Sequence, residues 1–221
     1  MAFKRGSSFR LSATPVTLFA HLLGIAATTL VLVWTLHFRD GLALKSGNKE
    51  KILNVHTVLM IIGFIFVGGE AIMAYKTVPS STRKVQKLVH LILHLIALLV
   101  GILGVYAAFK FHHEQGIPDM DSLHSWLGMG TICLFGLQWV FGFFSFWFPG
   151  AASPASLVPW HYFAGMVIFL MAICTALTGL VERFTILGLS NDQGLIVNFT
   201  GLMLLLFAIA VSLSVMLPRA Y

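Results

Sequence analysis

The amino-acid sequence predicts an all-α membrane protein with six transmembrane helices, and two observations carry this prediction. Of the 221 residues, 58% are hydrophobic and only 10% are charged, whereas a soluble domain carries about a quarter charged residues. The apolar residues also form long windows of roughly 20 residues, the length that crosses a bilayer. The mean hydropathy of +0.90 agrees with burial in lipid. These features exclude an ordinary soluble fold, and no nucleic-acid-binding module is found.

The six windows follow one another along the chain and form one predicted domain, residues 1–221. Thr14 before Pro15 predicts the start of the first helix. No Asp, Glu, Lys or Arg occurs from residue 122 to 181, so the proline- and glycine-rich segment Pro149–Pro159 divides that stretch into two helices. The predicted helices cover residues 16–37, 53–75, 88–109, 123–148, 160–181 and 194–217.

Loop charges predict the orientation of these helices. With six spans, both termini and the loops after predicted helices 2 and 4 lie on one side, which carries eight cationic residues against six on the other. The eight are Lys4, Arg5, Arg10, Lys76, Arg83, Lys84, Lys87 and Arg219. The six are Arg39, Lys45, Lys49, Lys51, Lys110 and Arg183. The positive-inside rule therefore predicts that both termini are cytoplasmic.

Four histidines each lie about one turn inside a predicted helix. They are His56, His90, His124 and His161, spaced 34, 34 and 37 residues apart. Because predicted helices 2 and 4 begin on the non-cytoplasmic side and helices 3 and 5 on the cytoplasmic side, His56 pairs with His124 outside and His90 with His161 inside. With a hydrocarbon core of roughly 30 Å and a rise of about 1.5 Å per residue, the two sites are expected on the order of 20 Å apart.

Histidines inside a bilayer are costly and usually functional. Two pairs at opposite depths suit the axial ligation of two haems, whereas a zinc or copper site would gather its ligands at one depth, often with a carboxylate or cysteine. The sequence contains no CxxCH, so the expected haems are of the non-covalent b type. Cys133 and Cys174 lie in apolar segments and are predicted to be small core residues.

Glycines share helix faces with these histidines, since residues that are a whole number of turns apart lie on nearly the same face. They are Gly101 and Gly104 on predicted helix 3, Gly128 and Gly142 on helix 4, and Gly165 and Gly179 on helix 5. Two interpretations remain open at this point. The glycines leave room for a flat macrocycle, or they let membrane helices approach closely.

Four motifs resemble a known family: SLHSWLG at Ser122–Gly128, FKFHH at Phe109–His113, GGEAIMAYK at Gly68–Lys76 and PWH at Pro159–His161. Together with the histidine spacing they make the chain similar to eukaryotic cytochromes b561, most of all to the plant members. The resemblance implies a four-helix core of helices 2–5 that holds two b haems, and a homodimer. It also implies ascorbate as the cytoplasmic electron donor and monodehydroascorbate or a ferric chelate as the acceptor on the other side.

Carried over by position, the resemblance implies the ligand pairs His56/His124 and His90/His161. It also implies Lys76, Arg83 and Lys87 as cations that bind ascorbate, and His112 as a substrate contact on the non-cytoplasmic side. Lys87 and His112 are the predicted catalytic residues. A basic loop concentrates an anionic donor, and a histidine exchanges protons near neutral pH. Many animal members carry arginines in the loop after helix 4; residues 149–159 contain none.

Five further residues have weaker expectations. Glu70, about four turns after His56, is expected on a similar face and beside a cation. His94 either donates to a haem group or is a core histidine, and His21 is expected to pack between helices. Phe109 and Trp126 either flank the outer haem or simply pack in the bundle.

The function that fits these features best is ascorbate-dependent transmembrane electron transfer through two b haems. The alternative from another class is a transporter or ion channel that uses the histidines as a proton relay or metal site. A haem-binding scaffold without catalysis is a third. The expected location is a vacuolar or other endomembrane, with the plasma membrane as the alternative.

Overall fold

A computed structural model of the chain describes residues 12–78, 80–148 and 155–218. These residues form six long apolar helices, so the chain is an all-α, integral multi-pass membrane protein. The helices are α1 (Ala13–Phe38), α2 (Glu50–Thr77), α3 (Arg83–Gln115), α4 (Leu123–Trp147), α5 (Leu157–Ile186) and α6 (Asn191–Met216). The predicted cations Lys4, Arg5, Arg10 and Arg219 lie outside the described residues, as does most of Pro149–Pro159.

Most helices extend beyond the charge-free windows, because polar residues at the bilayer surface continue a helix without entering lipid. α3 begins after Thr82, whose hydroxyl accepts from the backbone N–H of Val85 (3.4 Å). It ends at Gly116, whose φ of 65° is the left-handed conformation common at helix ends. Pro159 lies within the first turn of α5 and does not precede the helix, because N–H groups of a first turn need no helical partner.

The start of α1 differs from the prediction by a few residues. Its N-cap is Ser12, whose hydroxyl accepts from the backbone N–H of Thr14 (3.3 Å), and Pro15 lies inside the first turn. At the same end of the bundle the backbone N–H of Ala13 donates to the carbonyl of Pro218 (3.0 Å). The start of α1 and the end of α6 are therefore adjacent, as an even number of spans requires.

Successive helices are neighbours, and α6 returns to pack along the length of α1. Between these two helices, the buried hydroxyls of Thr17 and Ser214 form a hydrogen bond of 2.5 Å. The side chains of α2 pack against α1, α3, α5 and α6, which makes α2 the most enclosed helix. Large apolar side chains on the outer surface, such as Leu137 (66% exposed), suit contact with lipid.

A π-helical segment, Leu59–Phe66, interrupts α2 between its two halves. A π turn holds one residue more than an α turn, so it changes the faces of the residues that follow. Glu70 consequently points to α1, where its carboxylate lies 2.7 Å from Nδ1 of His21. The expectation that Glu70 shares a face with His56 was wrong for this reason. Its hydrogen-bond partner in the structure is the imidazole of His21 on the neighbouring helix.

Candidate functional site

The four predicted histidines form two pairs in the structure. The imidazole centres of His56 on α2 and His124 on α4 are 6.1 Å apart. Those of His90 on α3 and His161 on α5 are 6.2 Å apart. Two imidazoles that bind one metal ion from opposite sides, through bonds of about 2.0 Å, have ring centres about 6.3 Å apart. Both pairs thus have the separation that axial ligation of one metal requires.

Three of these histidines donate a hydrogen bond from Nδ1 to a backbone carbonyl of another helix. His56 donates to Gly104 (2.9 Å), His90 to Ala71 (2.8 Å) and His124 to Thr175 (2.8 Å). Because a carbonyl oxygen only accepts, Nδ1 carries the proton in all three. Nε2 then keeps its lone pair, which is the state in which a histidine binds a metal.

The positions of these carbonyl partners along the helices also give the distance between the two histidine pairs. Gly104 follows His90 by about four helical turns along α3, and Thr175 follows His161 by the same interval along α5. At about 1.5 Å per residue, the His56–His124 site and the His90–His161 site lie ~21 Å apart along the bundle. On α2 the corresponding interval, from His56 to Ala71, is longer by a single residue. The π-helical segment absorbs the additional residue.

Glycines open the helix surface beside the histidine rings. A Cβ atom on Gly179 would lie 2.6 Å from Cε1 of His124, and one on Gly142 would lie 3.0 Å from Cε1 of His161. Gly179 is also the residue four places after Thr175. Since helical side chains lean toward the N-terminus, a side chain there would cover the carbonyl that His124 needs. On α4 and α5, therefore, Gly142 and Gly179 leave room for the rings of His161 and His124.

The other predicted glycine pair serves helix packing. A Cβ atom on Gly101 would lie 2.7 Å from the ring of Phe64, and one on Gly104 would lie 2.8 Å from the sulfur of Met60. Side chains of α2 thus occupy the space that these two glycines leave. Gly101 and Gly104 therefore fit the helix-packing interpretation, and room for a macrocycle beside the other glycines stays a prediction.

His161 has a different partner from the other three histidines. The side-chain amide nitrogen of Gln138 on α4 donates to the backbone carbonyl of His161 (2.7 Å) and lies 3.0 Å from its Nδ1. Gly165, one turn after His161, faces this amide, with a Cβ position 3.6 Å from the amide nitrogen. Gln138 was not among the site residues predicted from the sequence. Its signal was a lone amide in an apolar segment, about four turns after His124.

A cavity of about 540 Å³ surrounds the His56–His124 site and opens at the end of the bundle where α3 finishes, here called the His112 end. Its wall includes His112, whose Nδ1 lies 3.0 Å from a carboxylate oxygen of Asp119. Arg183 and Glu50 also line it and form an ion pair with each other. A charge-based search of the loops could have found this pair, because both residues flank predicted helices.

A second cavity, of about 480 Å³, surrounds the His90–His161 site and opens at the opposite end, here called the Lys87 end. Arg83 and Lys87 line it, and no Asp or Glu of the described chain does. Lys76 lies at the same end but outside this lining, and its ammonium group donates to the carbonyl of Leu217 (2.6 Å). The structure thus brings two of the three predicted cations to the cavity.

Of the residues with weaker expectations, Phe109 and His94 line a cavity and Trp126 does not. Phe109 lines the cavity at the His112 end, whereas Trp126 is 65% exposed on the outer surface and does not flank the site. His94 lines the other cavity, with its ring centre 4.5 Å from that of His90. His94 is therefore close enough to contact whatever His90 binds.

The arrangement fits haem better than a compact metal site. Within residues 12–78, 80–148 and 155–218, no three His, Cys, Asp or Glu side chains come together as ligands for a metal ion. The paired imidazoles, the unprotonated Nε2 atoms of His56, His90 and His124, and the largely apolar cavities suit a large planar group with a central metal. Both cavities are within the usual size range of cofactor pockets, roughly 300–1,000 Å³.

Comparison with known proteins gives the same answer. The family model described as eukaryotic cytochrome b561 matches residues 55–187, which include all four histidines. The chain belongs to the eukaryotic cytochrome b561 family. The resemblance predicted from SLHSWLG and the histidine spacing is confirmed, and membership of the cytochrome b561 family implies haem b.

Curated relatives cover nearly the whole chain. A probable ascorbate-specific transmembrane electron transporter 1 of Oryza sativa is 49% identical over 93% of this chain and 91% of that protein. Transmembrane ascorbate ferrireductase 1 of Arabidopsis thaliana is 45% identical over 93% and 88%. Transmembrane ascorbate-dependent reductase CYB561 of Bos taurus is 35% identical over 86% and 77%. The expected similarity of this cytochrome b561 to plant members is confirmed.

The geometry predicts that Gly179→Val lowers the haem content of the purified protein. The added side chain would displace His124 from its ring position and cover the carbonyl of Thr175. Loss of such an outer hydrogen bond lowers metal affinity by roughly tenfold or more. The measurement is haem bound per purified chain, together with the low-spin electron paramagnetic resonance signals. Gly130→Val is the matched control, since a Cβ there meets nothing within 4 Å. Equal haem content in the two variants would contradict the predicted role of Gly179.

Proposed function

We propose that this cytochrome b561 is an ascorbate-dependent transmembrane oxidoreductase that moves single electrons from cytoplasmic ascorbate to an acceptor on the opposite side. One observation carries the proposal. Two histidine pairs with ring centres 6.1 Å and 6.2 Å apart lie at opposite ends of one bundle, ~21 Å apart along the helices, and each has its own opening. A site that only stored a cofactor would need neither the second pair nor the second opening.

The proposed cofactors are two b haems, one at His56 and His124 and the other at His90 and His161. When bound there, each haem would accept and release one electron at a time and so connect the two ends of the bundle. The protein supplies the rest. Its Nδ1 hydrogen bonds hold the imidazoles in orientation, and the apolar walls of both cavities exclude water.

Arg83 and Lys87 are the proposed donor-binding residues. Ascorbate is a monoanion at neutral pH, and these two cations line a cavity wall without a described carboxylate. Their field raises the local concentration of the donor beside His90. Ascorbate loses one electron and one proton to become the monodehydroascorbate radical anion, and the proton leaves to the solvent on the donor side. Lys76 adds positive charge at this end, and its direct contact with ascorbate stays a prediction.

His112 is the proposed acceptor-side residue. The carboxylate of Asp119 accepts a hydrogen bond from Nδ1 (3.0 Å), so Nε2 is available to a substrate in the cavity. Monodehydroascorbate needs one electron and one proton to become ascorbate, and His112 can deliver that proton. A ferric chelate needs the electron alone. The names of the plant relatives, which include ascorbate ferrireductases, support ascorbate as donor and ferric iron as an acceptor.

The orientation of the chain is part of the proposal. Arg83, Lys84 and Lys87 at the start of α3 support a cytoplasmic Lys87 end. Both termini would then be cytoplasmic. A vacuolar or other endomembrane location, the homodimer and the organisation of residues 1–221 as one domain stay predictions.

Reconstitution into vesicles tests the proposed function. Vesicles that contain the protein and internal ascorbate should reduce an external ferric chelate, and reduction should stop when the internal ascorbate is consumed. Release of radiolabelled ascorbate at the rate of iron reduction would instead indicate a transporter. A purified protein without the absorption bands of low-spin b haem would also reject the proposal. Empty vesicles loaded with ascorbate provide the background rate.

We expect Lys87→Ala to raise KM for ascorbate roughly tenfold, because a hydrogen bond to a charged group contributes about 1.5–3 kcal/mol. Lys84→Ala is the matched control, since Lys84 is exposed in the same turn but does not line the cavity. The measurement is haem reduction by ascorbate over a range of concentrations and at two salt concentrations. Equal KM values for the two variants would show that Lys87 acts only through the general charge of the loop.

His112→Ala should slow monodehydroascorbate reduction by about 100-fold, the usual contribution of a general acid, and slow ferric chelate reduction much less. Reduction of the haems by ascorbate should not change, since His112 lies at the other end. His113→Ala, the adjacent exposed residue outside the cavity lining, is the control. If both acceptors slowed equally in His112→Ala, the residue would act in binding and not in proton delivery.

A further inference from the structure

One of the four site histidines has a side-chain partner at Nδ1, and the other three have backbone carbonyls. The exception is His161, which faces the amide of Gln138. A backbone carbonyl accepts and never donates, so it holds its histidine with the proton on Nδ1. An amide can present either its oxygen, which accepts, or its nitrogen, which donates. His161 is therefore the one member of the set whose tautomer depends on a rotatable group.

In the structure the amide nitrogen faces His161. It donates to the backbone carbonyl of His161 (2.7 Å) and lies 3.0 Å from Nδ1. An amide nitrogen cannot accept a hydrogen bond, so in this arrangement Nδ1 accepts and the imidazole proton is on Nε2. Metal binding through Nε2 requires the opposite tautomer, with the proton on Nδ1 and an acceptor beside it. Half a turn of the amide presents its oxygen and provides that acceptor.

We infer that Gln138 is a positioning residue that decides which nitrogen of His161 carries the proton, and that it thereby sets how strongly His161 binds haem iron. The inference rests on the proposed ligation by His90 and His161. The half turn gives up the bond from the amide to the carbonyl of His161. Haem binding at the His90–His161 pair consequently loses this hydrogen bond, a free-energy cost that haem binding at the His56–His124 pair does not have.

The location of Gln138 supports a functional role. It lies in α4 among apolar residues, in a stretch without a charged residue from 122 to 181. A leucine would be easier to accommodate there, since polar groups in a bilayer cost free energy. Gly165 leaves the surface of α5 open at the carbonyl of His161, which is the carbonyl that the amide contacts. α4 thus supplies the amide, and α5 supplies both its acceptor and the space beside it.

The expected consequence is a tunable reduction potential at one end of the protein. A stronger acceptor at Nδ1 makes the imidazole a better electron donor to iron, favours the oxidised metal and lowers the potential. A missing acceptor has the opposite effect. The His56–His124 centre, with its carbonyl partners, should not respond to changes at Gln138.

Two substitutions of opposite sign test the inference in the haem-loaded protein. Gln138→Glu supplies a permanent acceptor and should lower the midpoint potential of the His90–His161 centre. Gln138→Leu removes the acceptor and should raise it. Each shift should correspond to about a tenfold change in the ratio of oxidised- to reduced-state affinity, which is ~59 mV for one electron. The measurement is a redox titration that resolves both centres, with electron paramagnetic resonance spectra of the oxidised protein.

Each result separates the possible explanations. The His56–His124 centre is the internal control, and Leu137→Met, 66% exposed on the lipid side of the same helix, controls for handling. If Gln138→Leu does not fold, Gln138→Met serves in its place with the same expected sign. Shifts of the same sign in both variants, or no shift, would overturn the role of Gln138. A wild-type protein that binds no haem would overturn the proposed function itself.

Discussion

The hydrogen bond between an imidazole Nδ1 and a backbone carbonyl of another helix is the constraint on which this bundle depends. His56, His90 and His124 each make one. Helical carbonyls already accept from the residue four places later, so a second donor needs an open helix surface. Gly179 opens that surface for His124. The requirement couples the sequence of one helix to the register of another, because a histidine and its carbonyl partner must reach the same depth.

This coupling explains the regular interval of the structure. On α3, α4 and α5 the histidine and the residue that holds the opposite site are about four helical turns apart. One repeated interval therefore gives two histidine pairs of nearly equal ring separation at opposite ends of the bundle. The two ends differ in the charged residues that line their cavities, and this difference favours one direction of electron transfer. Arg83 and Lys87 line one cavity without a described acid, while Asp119 and Glu182 are among several carboxylates that line the other beside Arg183. An anionic donor is therefore favoured at the Lys87 end.

The fold and the pairing of the four histidines could be predicted from the sequence because both follow from one-dimensional features: apolar windows, and the position of a histidine within each window. Contacts that depend on how each helix is rotated about its own axis relative to its neighbours could not be predicted from the sequence. Gln138 lies on the face of His124 by periodicity, but only the relative placement of α4 and α5 brings its amide to His161. Lys76 illustrates the converse. Its sequence position suits the donor site, yet its ammonium group contacts the carbonyl of Leu217 on a neighbouring helix.

Glu70 shows how a local change of helix geometry protects a site. In a regular helix its carboxylate would follow the face of His56 and approach the His90–His161 cavity, which has an otherwise cationic rim. The π-helical segment Leu59–Phe66 adds one residue to the interval and turns Glu70 toward His21 on α1. The same additional residue keeps the carbonyl of Ala71 in reach of His90 (2.8 Å). One irregular segment of α2 thus keeps the His90–Ala71 hydrogen bond and holds the Glu70 carboxylate against α1, outside the His90–His161 cavity.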